Sequence, residues 1–251
     1  MNGHVAALYR HPVKGFTPER LPSAELEAGG FFPCDRIYAV EDGPSGFDPA
    51  APTFVPKTQF AVLAKIPEVA RARTAYDDAS GVITVEAGGM ASLRVALSDD
   101  EGRNRFADWL TELLGEAASG PLKVVHAEGH RFTDHPQGCV SILNLASVRD
   151  LGERMGRPID PLRFRANVLV EGWPAWAENE ASGRTLELGS ARLEIFKSIV
   201  RCAATEVNPS TAERDMEIPR GLFDNYGHVF CGIYATVTGS GRVAEGDAAA
   251  A

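Results

Sequence analysis

The stretch Phe196-Lys-Ser-Ile-Val-Arg-Cys-Ala-Ala-Thr-Glu-Val-Asn-Pro209 places a cysteine at the point where a strand-like run ends. The run ends at Val200, and Asn208-Pro209 marks the turn that follows. Arg201 lies directly before the thiol. A cysteine at a strand end beside a cation can be held as an accessible thiolate, which a nucleophile or a ligand of a soft metal requires. Cys202 is therefore the first candidate functional residue, although most free cysteines only fill space in a core.

The composition is that of an ordinary globular protein. The chain has 251 residues, of which 44% are hydrophobic and 24% charged. This length accommodates one large β-rich domain or two smaller ones. The net charge of -9 argues against a nucleic-acid partner, because binding phosphates needs a basic patch. Neither a membrane span nor a signal peptide is apparent, so we expect a cytoplasmic protein with no membrane partner.

The cysteine pattern excludes several common kinds of site. Cys34, Cys139, Cys202 and Cys231 are far apart and include no CxxC pair. This spacing excludes zinc ribbons, thioredoxin-type motifs and a ferredoxin-type iron–sulfur cluster. The histidines at 126–135 do not form an HExxH motif, and no Walker or dinucleotide-binding fingerprint is present. We therefore expect a reduced protein with free thiols.

Short strands separated by glycine and proline dominate the predicted secondary structure. The predicted strands are 5–9, 36–40, 60–63, 82–86, 93–97, 122–126, 139–143, 167–170, 185–188, 192–200 and 232–237. Two helices are predicted. A capping box of Ser98 and Glu101 begins the first, and Asn144 begins the second.

This pattern predicts a mainly β fold with a few helices, built as a closed or nearly closed β-barrel in two units. We place the domain boundary in the predicted linker Ala117 to Pro121, which follows the helix stop at Gly115. The first domain then covers residues 1–118 and the second covers 119–247. The Ala-rich residues 248–251 are expected to form a disordered tail.

Several cations lie at the predicted ends of strands and turns. They include Lys14, Arg36, Arg165 and Arg201. Considered singly, each of these cations is most simply interpreted as a solvent-exposed surface charge. Together, in a chain with a net negative charge, they are the residue types that could assemble an anion pocket, because guanidinium groups match phosphate geometry.

At the level of sequence blocks, the chain resembles the MOSC family, named for the C-terminal domain of molybdenum cofactor sulfurases. The first half resembles the family's N-terminal β-barrel domain, and the second half resembles the MOSC domain itself. The blocks that carry the resemblance are Leu8-Tyr-Arg-His-Pro-Val-Lys-Gly15, Cys34-Asp-Arg-Ile-Tyr38, Ser141-Ile-Leu-Asn-Leu-Ala-Ser-Val148, Phe164-Arg-Ala-Asn-Val168, Arg201-Cys202 with Thr205-Glu-Val-Asn-Pro209, and Cys231-Gly-Ile-Tyr234. Blocks that recur in the right order are more specific than any one of them.

The resemblance implies a molybdenum cofactor and assigns roles to matching residues. Cys202 would be the thiolate ligand of the metal and the catalytic residue. The residues that would bind the pterin cofactor are Lys14, Arg36, Arg165, Asn167, Arg201 and Tyr234. The chain departs from the pattern at Gly15, at Gln137-Gly138 and at Val200, where relatives can carry hydroxyl residues, so individual pterin contacts there stay open.

The resemblance also implies an activity. A molybdenum-dependent oxidoreductase of this kind would reduce small N-hydroxylated compounds. Its electrons would come from a separate ferredoxin- or cytochrome-type carrier with a flavoprotein reductase. Arg201 would lower the pKa of the thiol, and Asp35 and Glu206 are candidate proton carriers, although surface carboxylates are the simpler interpretation.

Two further hypotheses belong to other functional classes. The chain could carry molybdopterin, or sulfur as a Cys202 persulfide, without turnover. Alternatively, it could be a small-molecule binding barrel in which Cys202 is only structural. The physiological substrate, the electron donor, the oligomeric state and the nucleotide form of the cofactor do not follow from the sequence.

Overall fold

A computed structural model describes residues 1–251 and contains fifteen strands, three α-helices and several short 3₁₀ turns. The strands are β1 (Asn2–Arg10), β2 (Glu19–Leu21), β3 (Ser23–Leu26), β4 (Ala39–Asp42), β5 (Arg73–Asp77), β6 (Val82–Glu86), β7 (Leu93–Ala96), β8 (Leu122–Val125), β9 (Val140–Asn144), β10 (Val168–Glu171), β11 (Thr185–Leu188), β12 (Ala191–Val200), β13 (Phe230–Gly239), β14 (Gly241–Ala244) and β15 (Ala248–Ala250). The helices are α1 (Asp100–Leu114), α2 (Leu145–Arg154) and α3 (Ile218–Tyr226). None of the three combines the length and the apolar character that crossing a membrane requires.

Seven strands close into a β-barrel. Their order is β10-β9-β13-β12-β11-β15-β1, and β1 pairs back onto β10 to complete the ring. Along β12 the buried residues Ala191, Leu193 and Ile195 alternate with exposed ones, so one face of the strand fills the barrel. Because a closed sheet has no free edge, each of these strands is paired on both sides. The predicted mainly β fold with a β-barrel and few helices is confirmed.

The barrel is one packing unit of the fold, and the strands outside it form a second packing unit with its own core. Strands β5, β6 and β7 form one sheet, β4 pairs with β8, and α1 packs beside them. The buried side of α1 includes Phe106, Leu110 and Leu113. The predicted capping box is wrong, because Asp99 caps this helix instead of Ser98: its carboxylate accepts a hydrogen bond from the Gly102 amide at 2.7 Å.

The chain crosses between the two packing units more than once. Strand β1 lies in the barrel, and Val5 and Leu8 belong to its core. Strand β8, which follows the proposed boundary, pairs with β4 of the other unit. The division of the sequence after residue 118 therefore stays a prediction, since strands from both sides of it cross over.

The prediction of a disordered tail at residues 248–251 is wrong. Residues Ala248–Ala250 form β15, which pairs with both β1 and β11. The Ala249 side chain is fully buried, and its carbonyl accepts a hydrogen bond from Trp173 Nε1 at 3.0 Å. Small side chains suit this position because the strand fills the last gap in the barrel wall. Composition alone could not show that gap.

Two other local predictions differ from the structure. Residues 60–63 form a single bridge from Phe60 to Glu41 and not a strand. Helix α3 was not predicted, because Pro219 and Gly221 interrupt its apolar pattern. Proline is tolerated there, since it occupies the first helical turn, where its missing amide costs nothing.

The position of β15 between β1 and β11, where it completes the barrel wall, gives a prediction about stability. Ala249→Asp places an unpaired carboxylate inside the barrel, so it should lower the free energy of unfolding by about 2–4 kcal/mol in urea denaturation. Ala248→Asp is the matched control, because Ala248 is exposed on the same strand, and it should change stability by less than about 0.5 kcal/mol. Equal tolerance of both substitutions would contradict a structural role for β15.

Candidate functional site

A cleft of about 310 Å³ is lined by residues from both packing units and is bordered by the end of β12. All seven residues singled out from the sequence line this cleft: Lys14, Arg36, Arg165, Asn167, Arg201, Cys202 and Tyr234. They come from segments separated by up to 220 positions, so the fold and not sequence proximity brings them together. Their roles toward a ligand stay predictions.

Cys202 sits on a short, well-tied turn. It follows the end of β12 and caps the 3₁₀ turn Ala203–Glu206. Its carbonyl accepts hydrogen bonds from the Thr205 amide at 3.0 Å and from Thr205 Oγ1 at 2.9 Å. The side chain is half-buried. The backbone of this cysteine is therefore fixed, while its sulfur remains accessible from the cleft.

The cation that contacts the thiol is Lys57. Lys57 Nζ lies 3.2 Å from Cys202 Sγ and 3.5 Å from Asp134 Oδ2. Burial works to lower the pKa of Lys57, but Asp134 and Cys202 outweigh burial and raise it. Arg201, which the sequence suggested could lower the pKa of the thiol, makes its hydrogen bonds to backbone carbonyls and none to the sulfur.

Arg201 ties three parts of the fold together. Its Nε donates to the Cys231 carbonyl and its Nη1 to the Phe164 carbonyl, both at 2.7 Å. The guanidinium also lies over the Phe164 ring, 5.2 Å from the centroid. Burial lowers the pKa of Arg201, and its Nη2 is buried without any partner. One strong donor is thus left over beside the cleft.

Gly232 makes room for this guanidinium. It adopts φ +81°, and a Cβ there would lie 2.6 Å from the Ile142 carbonyl and 3.0 Å from Arg201 Nη2. A left-handed backbone together with so close an approach favours glycine.

A second group of charges surrounds Lys14. The buried Lys14 ammonium donates to the Phe132 carbonyl at 2.8 Å and to Asp134 Oδ1 at 2.5 Å. Burial lowers the pKa of Lys14, and Asp134 opposes that effect. Burial works to raise the pKa of Asp134, but Lys14 and Lys57 hold it well below its usual range. Asp134 is therefore a carboxylate shared by two lysines.

Arg36 belongs to a buried charge cluster with Asp35 and His11. The Arg36 guanidinium pairs with Asp35, and its Nη2 donates to the Arg165 carbonyl at 3.1 Å. Asp35 is only 2% exposed and also accepts from the His11 amide at 2.7 Å. The simpler interpretation of Asp35 as a solvated surface carboxylate is therefore wrong. Burial works against its ionised form, but Arg36 and His11 keep its pKa well below the usual range.

Arg165 adopts a left-handed backbone, with φ +53° and ψ +38°, at the end of the 3₁₀ turn Pro161–Phe164. Burial, reinforced by the charge of Arg36, lowers the pKa of Arg165 to about 9. Its Nη2 is buried and has no partner. Like the free donor of Arg201, this group needs an acceptor that the protein does not supply.

Most of the hydrogen-bonding groups of the Asn167 side chain are already bonded to other residues of the protein. Its carboxamide oxygen accepts from the Ser141 amide at 3.1 Å and from Ser141 Oγ at 2.7 Å. Its Nδ2 donates to the Tyr9 carbonyl at 3.2 Å. One N–H remains for the hydrogen bond to the cofactor that the sequence predicts.

Tyr234 belongs to an aromatic wall of the cleft. Its ring stacks against Phe196, with centroids 6.2 Å apart and planes at 15°. His135 lies 5.1 Å from Phe196 and 6.0 Å from Tyr234. Burial raises the pKa of Tyr234, so the phenol is neutral and offers a flat surface with a polar end.

The cleft is strongly cationic within an acidic protein. Seven lining side chains are lysine or arginine, whereas two are carboxylates. The chain as a whole carries a net charge of -9. Gathering like charges is unfavourable unless an anion compensates them, and three of the lining arginines have a buried donor without a partner: Arg163 Nε, Arg165 Nη2 and Arg201 Nη2. The cleft therefore has the charge and the free donors to bind an anionic ligand.

Sequence reasoning missed Lys57 and Asp134. Both lie in irregular segments, where no periodic pattern marks a residue as functional. Lys57 and Asp134 contact each other, Cys202 and Lys14, and these contacts depend on the tertiary structure.

Comparison with known families agrees with this geometry. The family model of the MOSC domain matches residues 129–250, and that of the MOSC N-terminal beta barrel domain matches residues 2–119. The chain belongs to the MOSC family. The two matches together cover almost all of it and correspond to the two halves that carry the resemblance.

The chain is also similar to several characterised MOSC proteins. It is 27% identical over 146 residues to the mitochondrial amidoxime-reducing component 1 of Homo sapiens, which covers 50% of this chain and 42% of that protein. It is 27% identical over 124 residues to the molybdenum cofactor sulfurase of Caenorhabditis briggsae, which covers 48% of this chain and 17% of that protein. The chain thus spans less than half the length of these relatives.

Among solved structures, the YuaD protein of Bacillus subtilis aligns over 99% of this chain and 94% of its own. The TM-score is 0.46 and the sequence identity 16%.

The position of Gly232 gives a prediction about the site. Gly183→Ala is the matched control, since Gly183 has φ +82° with nothing near a new Cβ. The control should lower the free energy of unfolding by about 1–2 kcal/mol, which is the cost of the left-handed backbone. Gly232→Ala should cost an additional ~1–3 kcal/mol in urea denaturation, because it also collides with Ile142 and Arg201. Equal costs would show that Gly232 is not needed for close packing.

The buried His11 gives a pH prediction. Burial, with the charges of Arg165 and Arg36, lowers the pKa of His11 to about 3. The unfolded chain therefore binds one more proton than the folded protein below about pH 6.5, and stability falls as the pH drops. Between about pH 7 and pH 5 this group should remove about 2 kcal/mol of unfolding free energy.

Urea denaturation of His11→Gln and His4→Gln tests this dependence. His4→Gln is the control, because His4 is exposed and should leave the pH dependence as in the parent protein. His11→Gln should flatten it, even if the variant is less stable at every pH. The same slope in both variants would contradict the assignment of this pH dependence to His11.

Proposed function

We propose that the cleft binds the molybdenum cofactor and that Cys202 is the protein ligand of the metal. Two cysteines line the cleft, and Cys202 is half-buried whereas Cys139 is buried. The observation that supports the proposal most directly is the more accessible Cys202 thiol together with an excess of positive charge in the same cleft. A dithiolene-bound metal takes its other sulfur ligands from the pterin, so one thiolate from the chain is sufficient.

The residues of the cleft fit such a group. The free Nη2 donors of Arg165 and Arg201 are suited to the pterin phosphate, because guanidinium groups bind phosphate oxygens with high directionality. Lys14 and Arg36 add positive charge behind them. The Tyr234 ring offers a face to a planar ring system, and Asn167 offers its one remaining N–H.

We further propose that the loaded protein reduces small N-hydroxylated compounds. The bound metal would supply two-electron oxygen-atom exchange, which no side chain can perform. The chain would hold the cofactor, present the substrate to it beside the aromatic wall of His135, Phe196 and Tyr234, and keep Cys202 in place through its backbone bonds. The relatives named for amidoxime reduction support this proposal.

Electrons would come from outside the chain. The four cysteines are free and do not form a cluster with one another. We therefore propose a separate ferredoxin- or cytochrome-type carrier with its flavoprotein reductase. Because free thiols persist in a reducing compartment, we also propose a cytoplasmic location.

A carrier function uses the same site without turnover. Cys202 is accessible from the cleft and could hold a persulfide, or the cofactor itself, for delivery to another protein. The similarity to molybdenum cofactor sulfurases supports this alternative. Turnover separates it from the reductase.

Metal analysis tests the ligand assignment. Protein from a molybdenum-replete host should contain one molybdenum and one pterin per chain, and Cys202→Ala should lose most of the metal. Cys34→Ala is the control, because Cys34 is equally half-buried but does not line the cleft, and it should retain the metal. One molybdenum per chain in Cys202→Ala would contradict the proposal.

An activity assay separates reductase from carrier. The loaded protein, supplied with a chemical reductant, should convert benzamidoxime to benzamidine. Fully loaded protein that forms no product would favour the carrier.

A further inference from the structure

Residues 48–59 form an exposed loop beside the cleft. Ten of these twelve residues are exposed, whereas Val55 and Lys57 are half-buried. Pro49, Pro52 and Pro56 restrict the backbone of the loop. Compact loops of this length whose ends lie close together frequently act as active-site lids.

The two ends of the loop are firmly anchored. Phe47, just before it, is buried, and its ring packs 4.9 Å from the ring of Phe132. Phe60, just after it, is also buried and lies 5.6 Å from the same ring. Both ends therefore rest on one aromatic side chain, and the loop leaves and rejoins the fold at the same place.

Between these anchors the loop makes few contacts with the rest of the protein. Apart from the bonds of the Lys57 ammonium, the hydrogen bonds of residues 48–59 stay within the loop or reach its neighbour Phe60. They run from Ala50 and Ala51 to Asp48, from Gln59 to Pro56 and from Phe60 to Lys57. Val55 adds an apolar contact with the cluster around Phe47 and Phe60. The hydrogen bonds to the body of the protein are those of the Lys57 ammonium, to Cys202 and Asp134.

The polar attachment of the loop to the body of the protein therefore runs through one side chain, Lys57, which contacts both the thiol and Asp134. Lys57 Nζ lies 3.2 Å from Cys202 Sγ and so occupies one side from which a ligand could approach the sulfur. The loop is therefore attached at the atom that a ligand would use.

We infer that residues 48–59 are a lid over the cleft, which Lys57 latches on Cys202 and Asp134 and which opens to admit a ligand to the thiol. The latch is ionic on the Asp134 side, where Lys57 is 36% and Asp134 46% exposed. An ion pair this exposed is weak and sensitive to salt, so the lid is easily released. The inference concerns access to Cys202 and does not depend on which ligand the cleft binds.

Alkylation of the cofactor-free protein tests the lid. The rates at which a small reagent, iodoacetamide, and a bulky polyethylene glycol maleimide modify Cys202 are measured by mass spectrometry of the peptide that contains it. The ratio of the bulky to the small rate reports access, because a change in the reactivity of the sulfur affects both rates.

Lys57→Gln should raise this ratio about two- to fivefold, since it removes the latch. Lys57→Arg keeps the charge and should stay near the parent ratio. Lys197→Gln is the matched control: Lys197 also lines the cleft but has no contact with the sulfur, so the ratio should not change. Salt should raise the ratio in the parent protein and leave Lys57→Gln unaffected.

An unchanged ratio in Lys57→Gln would overturn the lid, and so would an equal rise in Lys197→Gln. The salt series on the parent protein provides an independent arm that needs no variant. A ratio that does not respond to salt would likewise contradict an ionic latch. None of these results bears on molybdenum content, so failure of the lid and failure of the proposed cofactor remain distinguishable.

Discussion

The site depends on one buried guanidinium. Arg201 joins the start of β13 to the 3₁₀ turn before Arg165 through the carbonyls of Cys231 and Phe164. Because Arg201 directly precedes Cys202, the same bonds fix where the thiol emerges from the end of β12. A buried cation with two neutral acceptors and one free donor is costly on its own. Its position is understandable if an anion completes its bonding.

An excess of positive charge that an anion would complete is also found in the cleft as a whole. A chain of net charge -9 places seven cationic side chains around one cavity with two carboxylates among them. Asp35 and Asp134 each serve neighbouring cations and leave the outer arginine donors free. Some buried charges are thus neutralised within the protein, whereas the Nη2 donors of Arg165 and Arg201 have no partner in it. A thiol held at the edge of such a cavity suits a cofactor that is anionic at one end and binds a soft metal at the other.

Much of the framework could be predicted from the sequence. Strands β6 and β11 have the predicted bounds, and Asn144 caps α2 as expected, because local patterning and capping act over a few residues. The cations at strand ends were also recognised individually. Their convergence in one cleft was implied only by the family resemblance, because it depends on the register between distant strands, which local patterning does not determine.

The sequence was least informative where structure depends on distant partners. Lys57 and Asp134 lie in irregular segments, and their roles arise from contacts 145 and 120 positions away, with Cys202 and Lys14 respectively. The Ala-rich C-terminal segment is a strand only because β1 and β11 leave a gap for it. Asp35 is buried because Arg36 and His11 enclose it. In each case a tertiary contact overrides the local preference.

The most direct test of this account is a crystal structure of the protein purified from a molybdenum-replete host, with diffraction collected at the molybdenum absorption edge. The account predicts one anomalous peak in the cleft, within bonding distance of Cys202 Sγ, and a phosphate facing the guanidinium groups of Arg165 and Arg201. A molybdenum peak away from Cys202, or a cofactor whose phosphate contacts neither arginine, would contradict it.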